Sequence, residues 1–207
     1  MSNEPEEIGA AFARAAQEEE RLCGRVFSGG RIEKGHFPHL ELEQVRLVGC
    51  VLTGCVFESG SFVGVTFERC ELTGCRFENG YFRDSSLDGC RADGADFRRC
   101  TLRATALTGG SFRYANFANT LWDGCRVDNV SMRDCSFSES KRKACLFAGT
   151  DFTRADFFKS PLKGQDLTSC VIDGILVSDR FTELRGAQVT AEQAVALAAM
   201  LGVKVTG

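Results

Sequence analysis

Cysteine and histidine are the side chains of this sequence best suited to chemistry, because they bind metals and act as nucleophiles. The 207 residues include 11 cysteines but only 2 histidines. No two cysteines have the Cys-x-x-Cys spacing of zinc sites, and His36 and His39 form the only close histidine pair. The spacing therefore predicts no metal site.

The other residue types used in catalysis form no recognisable constellation either. No glycine-rich phosphate loop precedes a predicted helix, and the carboxylates fall at positions predicted to face solvent. We therefore expect no catalytic residues, no cofactor and no enzymatic activity. The function has to be sought among binding and scaffolding roles.

A five-residue period places large apolar side chains throughout residues 25–179. Starting at Phe27 and stepping by five to Val177, 30 of 31 positions are apolar, and 14 of the 17 phenylalanines lie on this series. We call these positions the centres of the repeat. The exception is Arg142. A period of five matches neither an α-helix nor an ordinary strand, so the chain must turn a corner in every unit.

The cysteines and glycines occupy two further positions of the same unit. Ten of the 11 cysteines lie two residues before a centre, where Ala, Gly, Ser, Thr and Val also occur. Such a position is small, packed and inward-facing, and a free cysteine there behaves as a small hydrophobe. Glycine recurs 12 times two residues after a centre, which indicates a turn. The cysteines are Cys50, Cys55, Cys70, Cys75, Cys90, Cys100, Cys125, Cys135, Cys145 and Cys170.

This unit resembles the pentapeptide-repeat family, although Cys or Gly often replaces the usual Ala. The resemblance implies an all-β solenoid, a right-handed quadrilateral β-helix with four units per coil. Residues 25–179 give 31 units, or 7.75 coils. With about 4.8 Å between coils, the rod is about 37 Å long. Its interior is filled by the centres, which leaves no space for a substrate.

Residues 1–24 are predicted to form an N-terminal cap. The stretch from Glu6 to Leu22 has Ile8, Phe12 and Ala15 at helical spacing, which predicts a helix over the first coil. Cys23 lies outside the repeat as an incidental thiol. The acidic start lacks the features of a signal peptide, and the longest apolar run has eight residues. We therefore expect a cytoplasmic protein with reduced thiols and no membrane segment.

Residues 180–207 are predicted to form a C-terminal cap and dimerisation segment. Thr190 and Gln193 form a capping box for a helix over 191–201. The apolar face containing Ala194 and Leu201 is expected to cover the last coil, and the apolar residues off that face predict a C2 homodimer. The residues expected at the dimer interface are Ala194, Val195, Leu197, Ala198, Met200, Leu201 and Val203.

The same C-terminal segment, with Gln-Ala-Val-Ala-Leu-Ala-Ala followed by Leu-Gly-Val, resembles the dimerisation element of the Qnr and MfpA type of fluoroquinolone-resistance proteins. That resemblance implies a rod-shaped dimer that binds DNA gyrase or topoisomerase IV and protects the enzyme from inhibitors, with a shape like duplex DNA. The alternative is a scaffold or interaction module of another pathway, without a topoisomerase partner.

The charge distribution indicates that a partner would recognise the shape of the rod rather than a uniform acidic field. Residues 25–179 carry 20 acidic and 20 basic side chains, so the rod is neutral, and no basic stripe suited to direct nucleic-acid binding is present. Because a buried guanidinium is costly, the unit around Arg142 is predicted to bulge outward. Phe158 is predicted to point outward as well. The candidate partner-binding residues are Glu58, Glu78, Lys141, Arg142, Lys143 and Phe158.

Overall fold

The computed structural model describes residues 7–206. Within that range, helix α1 (Ile8–Glu18) precedes sixteen short strands, a 3-10 turn (Thr182–Leu184) and helix α2 (Ala191–Met200). The strands are β1 (Leu22–Cys23), β2 (Val26–Ser28), β3 (Arg31–Glu33), β4 (Glu41–Glu43), β5 (Arg46–Val48), β6 (Val51–Thr53), β7 (Ser61–Val63), β8 (Thr66–Glu68), β9 (Tyr81–Arg83), β10 (Ser86–Asp88), β11 (Thr101–Arg103), β12 (Ala106–Thr108), β13 (Leu121–Asp123), β14 (Arg126–Asp128), β15 (Lys141–Lys143) and β16 (Leu146–Ala148).

Paired strands are parallel and lie twenty residues apart along the chain, as Leu42 and Phe62 do. Face 1 of the solenoid is the seven-stranded sheet β1-β4-β7-β9-β11-β13-β15, and face 2 is the sheet β2-β5-β8-β10-β12-β14-β16. Face 3 begins with β3 and β6 and continues as single bridges. Face 4 consists of bridges alone, from His36↔Val56 to Asp156↔Leu176. This arrangement confirms the four-sided parallel β-helix predicted from the five-residue period.

The centres of the repeat fill the interior as stacked columns. On face 4, seven phenylalanine rings stack at centroid distances of 4.8 to 5.8 Å, with interplanar angles between 6 and 26°. The rings belong to Phe37, Phe57, Phe77, Phe97, Phe117, Phe137 and Phe157. Because consecutive coils lie about 4.8 Å apart, the ladder spacing itself places each ring on the next.

The small inward position, two residues before each centre, also contributes hydrogen bonds. Eight of the cysteine thiols donate a hydrogen bond to the carbonyl oxygen of a centre in the preceding coil, 23 residues earlier. Cys135, for example, donates to Phe112 O at 2.8 Å, and the hydroxyl of Ser85 donates to Phe62 O at 3.0 Å. A thiol or hydroxyl therefore gives a buried carbonyl a second partner while filling little volume.

Helix α1 covers the first coil, as predicted, but it is shorter than the sequence indicated. Ile8, Phe12 and Ala15 are buried, and the ring of Phe12 meets those of three core phenylalanines edge to face at 5.7 to 6.2 Å. Glu6, predicted as the start of the helix, lies outside the described residues. The prediction that the helix reaches Leu22 was wrong. Leu22 lies in β1, where it pairs with Leu42 of β4 and starts the strand ladder one unit before Phe27.

The C-terminal end is closed by two polar side chains. The carboxylate of Glu183, 2% exposed, accepts hydrogen bonds from the backbone N–H of Lys159 at 2.8 Å and from the hydroxyl of Ser178 at 2.8 Å. Gln193 completes the predicted capping box of α2 with Thr190, and its Nε2 donates to two carbonyl oxygens of the last coil, at 2.7 and 2.9 Å. Both residues tie the segment after the repeat to the rod.

We expect Glu183→Gln to loosen this segment by about 1–3 kcal/mol, because a buried N–H or hydroxyl loses its charged acceptor. Burial alone raises the pKa of Glu183, but hydrogen bonds from Ser178 and from backbone N–H groups hold that pKa below its usual range. A carboxyl with a lowered pKa stabilises the fold above its unfolded pKa and loses that contribution as the pH falls through the folded value.

Hydrogen exchange over residues 178–190 measures this effect. In the wild type, protection there, corrected for the intrinsic pH dependence of amide exchange, should fall as the pH drops below the ordinary glutamate pKa of 4.5, towards that of the variant. Glu192→Gln, at an exposed position of the same segment, is the matched control. Equal exchange in both variants at neutral pH would show that Glu183 does not hold the cap.

Candidate functional site

The two stacked acidic candidates lie on face 4, and arginines neutralise both. Glu58 forms an ion pair with Arg76, and Glu78 binds Arg98 at 3.2 Å and Arg99 at 3.1 Å. The side chain of Glu78 is 14% exposed. Neither carboxylate therefore offers a free negative charge to a partner, and the structure does not bring them together as an acidic stripe.

Pairing across neighbouring coils is general on this rod. Arg154, for instance, donates two hydrogen bonds to Asp134 in the preceding coil and lowers the pKa of that carboxyl. Other pairs of this type are Arg21–Glu41, Arg21–Glu43, Arg46–Glu68, Arg133–Asp151 and Lys159–Glu139. Exposed pairs contribute only about 0–1 kcal/mol each, so their main consequence is a surface whose charges cancel locally.

Arg142 was predicted to bulge out of the ladder, and that prediction was wrong. Its strand β15 stays in register, with Arg142 opposite Trp122. The guanidinium turns along the rod axis and donates to Ser140 Oγ at 2.9 Å, to Ser160 Oγ at 2.6 Å and to Ser160 O at 3.1 Å. It also lies 5.5 Å from the ring centroid of Phe157. These partners make the inward position tolerable for a cation.

The Arg142 cation nevertheless has no counter-ion. Within residues 7–206 no carboxylate pairs with Arg142, and its Nε is buried without a hydrogen-bond partner. Burial lowers the pKa of Arg142 to about 10. Lys141 and Lys143 flank it on the exposed side of β15, beside a depression of about 200 Å³ that reaches Leu121 and Asp123. This is the place where the rod carries a local excess of positive charge.

We expect Arg142→Met to leave the free energy of unfolding unchanged or to raise it by about 1–4 kcal/mol, because an apolar side chain of similar length removes a buried, unpaired cation. Ser140 and Ser160 remain partners of each other, at 2.8 Å. Urea unfolding followed by circular dichroism measures the change, with Arg142→Ala as the cavity-forming comparison. A loss of more than about 1 kcal/mol in the Met variant would contradict the expectation.

Phe158 points outward, as predicted, and is 41% exposed. The ammonium group of Lys159 lies 5.0 Å from its ring centroid. Phe158 borders an open groove of about 590 Å³ between the last coil and the C-terminal segment, also lined by Pro161, Asp179 and Arg180. The groove combines an aromatic side chain with charges of both signs, so it is an accessible contact surface.

Helix α2 exposes more apolar surface than the sequence predicted. Leu197 is half-buried and packs against the core, but Ala194 and Leu201, expected to cover the last coil on the same face, are exposed. The correction follows from Gln193 and Leu197, one helical turn apart, which contact the rod through hydrogen bonds and apolar packing and leave Ala194 and Leu201 uncovered. The exposed fractions are 47% for Val195, 36% for Met200, 58% for Leu201 and 51% for Val203, and Ala198 is half-buried.

Sequence reasoning missed Glu183 and the contact of Gln193 with the coil. No repeat position marks Glu183, since it follows the last centre, so no local signal could have identified it. All eleven cysteines are free, and Cys23 is exposed. In the described range 7–206, no group of three or more His, Cys, Asp or Glu side chains could hold a metal ion, and no helix is long and apolar enough to cross a membrane.

The repeat and its fold define the class of protein. A model of the pentapeptide repeat region matches residues 60–124, and a model of eight pentapeptide repeats matches residues 41–74. Together with the ladder register, these matches show that residues 41–124 consist of pentapeptide repeats. Such solenoids are typically structural or interaction scaffolds. Among curated proteins, no sequence gave a significant match.

Solved structures give more particular similarities. A trypsin-treated variant of QnrB1, a plasmid-mediated fluoroquinolone resistance protein, is 18% identical over 90% of this chain and 99% of that one, with a TM-score of 0.50. HetL, a pentapeptide-repeat protein involved in heterocyst differentiation regulation in the cyanobacterium Nostoc, is 12% identical over 88% of this chain and 94% of that one, with a TM-score of 0.49. At these identities the likeness to QnrB1 concerns the fold.

Proposed function

We propose that this protein is a non-enzymatic, cytoplasmic binding protein of type II topoisomerases, DNA gyrase or topoisomerase IV, and protects them from inhibitors. One observation carries the proposal: an uninterrupted four-sided rod ends in a helix whose apolar side chains are exposed. Two similarities support the same function. The C-terminal segment resembles that of the Qnr and MfpA type, and the fold is similar to that of a fluoroquinolone resistance protein.

Recognition on this rod depends on shape and specific contacts. Because arginines in neighbouring coils neutralise Glu58 and Glu78, the surface lacks the continuous negative field of a DNA duplex. Among the candidate partner-binding residues, the exposed ring of Phe158 and the basic pair Lys141 and Lys143 remain accessible to a partner. A topoisomerase would therefore bind a neutral, rigid rod with local contacts rather than an imitation of the phosphate backbone.

A supercoiling assay tests the proposal directly. Purified protein is titrated into DNA gyrase with a fluoroquinolone, and both supercoiling and drug-induced cleavage are measured. Protection predicts that supercoiling recovers and cleavage falls as the protein is added. Lys141→Glu with Lys143→Glu should weaken the effect if face 1 is the contact, whereas Arg31→Glu, at an exposed position near the other end, is the matched control. No change in either activity at any concentration would refute the proposal.

The second candidate is a scaffold or interaction module of another pathway, and the local cancellation of charge on the surface favours it. A neutral rod imposes no long-range field and can display different local patches to different partners. A pull-down from native lysate that returns other proteins reproducibly, but no type II topoisomerase subunit, would support this candidate against the first.

We further propose that α2 mediates a homodimer. Val195 and Leu201 are exposed apolar side chains at the end of a rod, where a second copy related by two-fold symmetry could cover them. Val195→Asp with Leu201→Asp is expected to halve the molar mass measured by light scattering, since two buried charges would oppose association. Leu197 is left unchanged because it packs against the core of its own chain.

The matched control for the dimer is Leu176→Asp, because Leu176 is a similarly exposed apolar residue, 57% exposed, on face 4 rather than on α2. Its molar mass should equal that of the wild type. A wild type that is already monomeric, or a double variant whose mass does not change, would contradict an interface on α2.

A further inference from the structure

Several cysteines lie directly above one another in neighbouring coils. Two residues of the same column are twenty positions apart, so their Cα atoms are separated by about one inter-strand spacing, about 4.8 Å. That separation falls within the range a disulfide spans, about 4.4–6.8 Å. The stacked sets are Cys50 with Cys70 and Cys90, Cys55 with Cys75, and Cys125 with Cys145.

Cys145 differs from the other stacked cysteines in its hydrogen bonds. The other six all donate to a carbonyl of the preceding coil, whereas the hydrogen bond of the Cys145 thiol goes to Lys143 O, two residues earlier in the same coil, at 3.4 Å. The backbone N–H of Leu146 donates to Cys125 O at 3.0 Å, which holds the two cysteines in register. Cys145 is also the most accessible of the stacked cysteines, at 6% against 0–2% for the others.

The half-buried guanidinium of Arg142 lies close enough to Cys145 to interact with its charge. It hydrogen-bonds only neutral oxygens, so a thiolate on Cys145 would face a cation that no carboxylate pairs with in the range 7–206. The neighbouring Cys125, and in addition the charge of Arg142, hold the pKa of Cys145 below its usual range although burial opposes this. The neighbouring Cys70 lowers the pKa of Cys90 in the same way, but the charged neighbour of Cys90 is the carboxylate of Asp88, which opposes a thiolate.

We propose that Cys145 and Cys125 form a peroxide-oxidisable dithiol site, with Cys145 as the attacking thiolate, Cys125 as the resolving thiol and Arg142 as a positioning residue. The site is independent of the function proposed above, and its co-reactant is a hydroperoxide such as hydrogen peroxide. The five other stacked thiols, held by carbonyl oxygens and without a neighbouring cation, stay reduced under the same conditions.

The chemistry proceeds in two balanced steps. The Cys145 thiolate attacks one peroxide oxygen, the O–O bond breaks, and the departing hydroxide takes up a proton to become water. The Cys125 sulfur then attacks the sulfenic acid of Cys145. The S–S bond forms, the S–O bond breaks, and the hydroxyl leaves as a second water with the proton of Cys125. Two thiols lose two electrons, and one peroxide is reduced to two waters.

Peptide mapping tests the proposal on the full-length protein. After treatment with hydrogen peroxide, blocking of remaining thiols and tryptic digestion without reductant, we expect a disulfide between peptides 114–126 and 144–154, each of which contains a single cysteine. This product should form before any disulfide among Cys50, Cys70 and Cys90, which serve as internal controls. Absence of the 125–145 disulfide, or formation of a 50–70 disulfide at the same rate, would overturn the proposal.

Variants separate reactivity from structure. Arg142→Met should slow formation of the disulfide by roughly two- to fivefold, because the charge of Arg142 adds to the larger effect of Cys125 on the thiolate fraction, and Arg142→Lys should restore part of the rate. Cys125→Ala should let Cys145 accumulate as a sulfenic acid that dimedone traps. An unchanged rate in Arg142→Met, in a protein whose circular dichroism matches the wild type, would remove Arg142 from the site. A lack of dimedone labelling in Cys125→Ala would refute the order of the two steps.

Discussion

Replacing Phe117 with alanine is expected to lower the free energy of unfolding by about 3–5 kcal/mol. The ring is fully buried and stacks between Phe97, at 4.8 Å, and Phe137, at 5.3 Å, with Trp122 at 5.2 Å beside it. Coils above and below are held apart by the backbone ladder, so the space left by the ring cannot collapse. Both the transfer energy of the side chain and the energy of the cavity are therefore lost.

Urea unfolding measured by far-ultraviolet circular dichroism tests this prediction, and Phe158→Ala is the matched control. Phe158 is also a phenylalanine of face 4, two coils further along the rod. It directly follows the buried centre Phe157, and it is 41% exposed. Its replacement should cost less than about 1 kcal/mol, since little apolar surface leaves water on folding. Similar losses for the two variants would show that the stacked column is not the main source of stability.

The strict period of five made the rod predictable, because any one unit can be compared with thirty others. Arg142 shows where that reasoning failed. The desolvation cost of a single guanidinium suggested a bulge, but Ser140 and Ser160, which bind it, lie two and eighteen residues away. Reading the sequence in steps of twenty would have revealed them, since Thr120, Ser140 and Ser160 form a continuous buried column of hydroxyls next to the cation.

The charged surface shows the same limit. Glu58 and Glu78 occupy the same position in successive coils and, taken alone, are neighbours of like charge. Their partners Arg76, Arg98 and Arg99 are eighteen to twenty-one residues away in sequence, yet one coil away in space. Cancellation between coils is therefore invisible among neighbours along the chain and visible once the twenty-residue register is known.

The ends of the rod were harder to predict than its middle, for a physical reason. A repeat position inherits its environment from the units above and below, whereas Leu22 and Glu183 each meet surroundings that occur once. Leu22 is in a strand because Leu42 offers it a free ladder edge, and Glu183 is buried because Ser178 and Lys159 present donors there. No local propensity encodes either contact, so only tertiary structure could settle them.

Gly110→Ala is expected to destabilise the protein by about 3 kcal/mol, although the same position of other units accepts Cys, Ala, Val and Thr. Gly110 has φ +77°, and a Cβ there would lie 2.1 Å from the carbonyl oxygen of Cys90. That oxygen accepts the ladder hydrogen bond of Ser111 at 2.9 Å, so relief of the clash has to move the backbone of two coils.

Gly94→Ala is the control for the left-handed backbone alone, because Gly94 has φ +67° with nothing within 4 Å of its added Cβ. It should cost about 1 kcal/mol. Urea unfolding of the two variants measures the difference, and equal losses would mean that the coils can move apart at Cys90 more easily than a close-packed ladder allows.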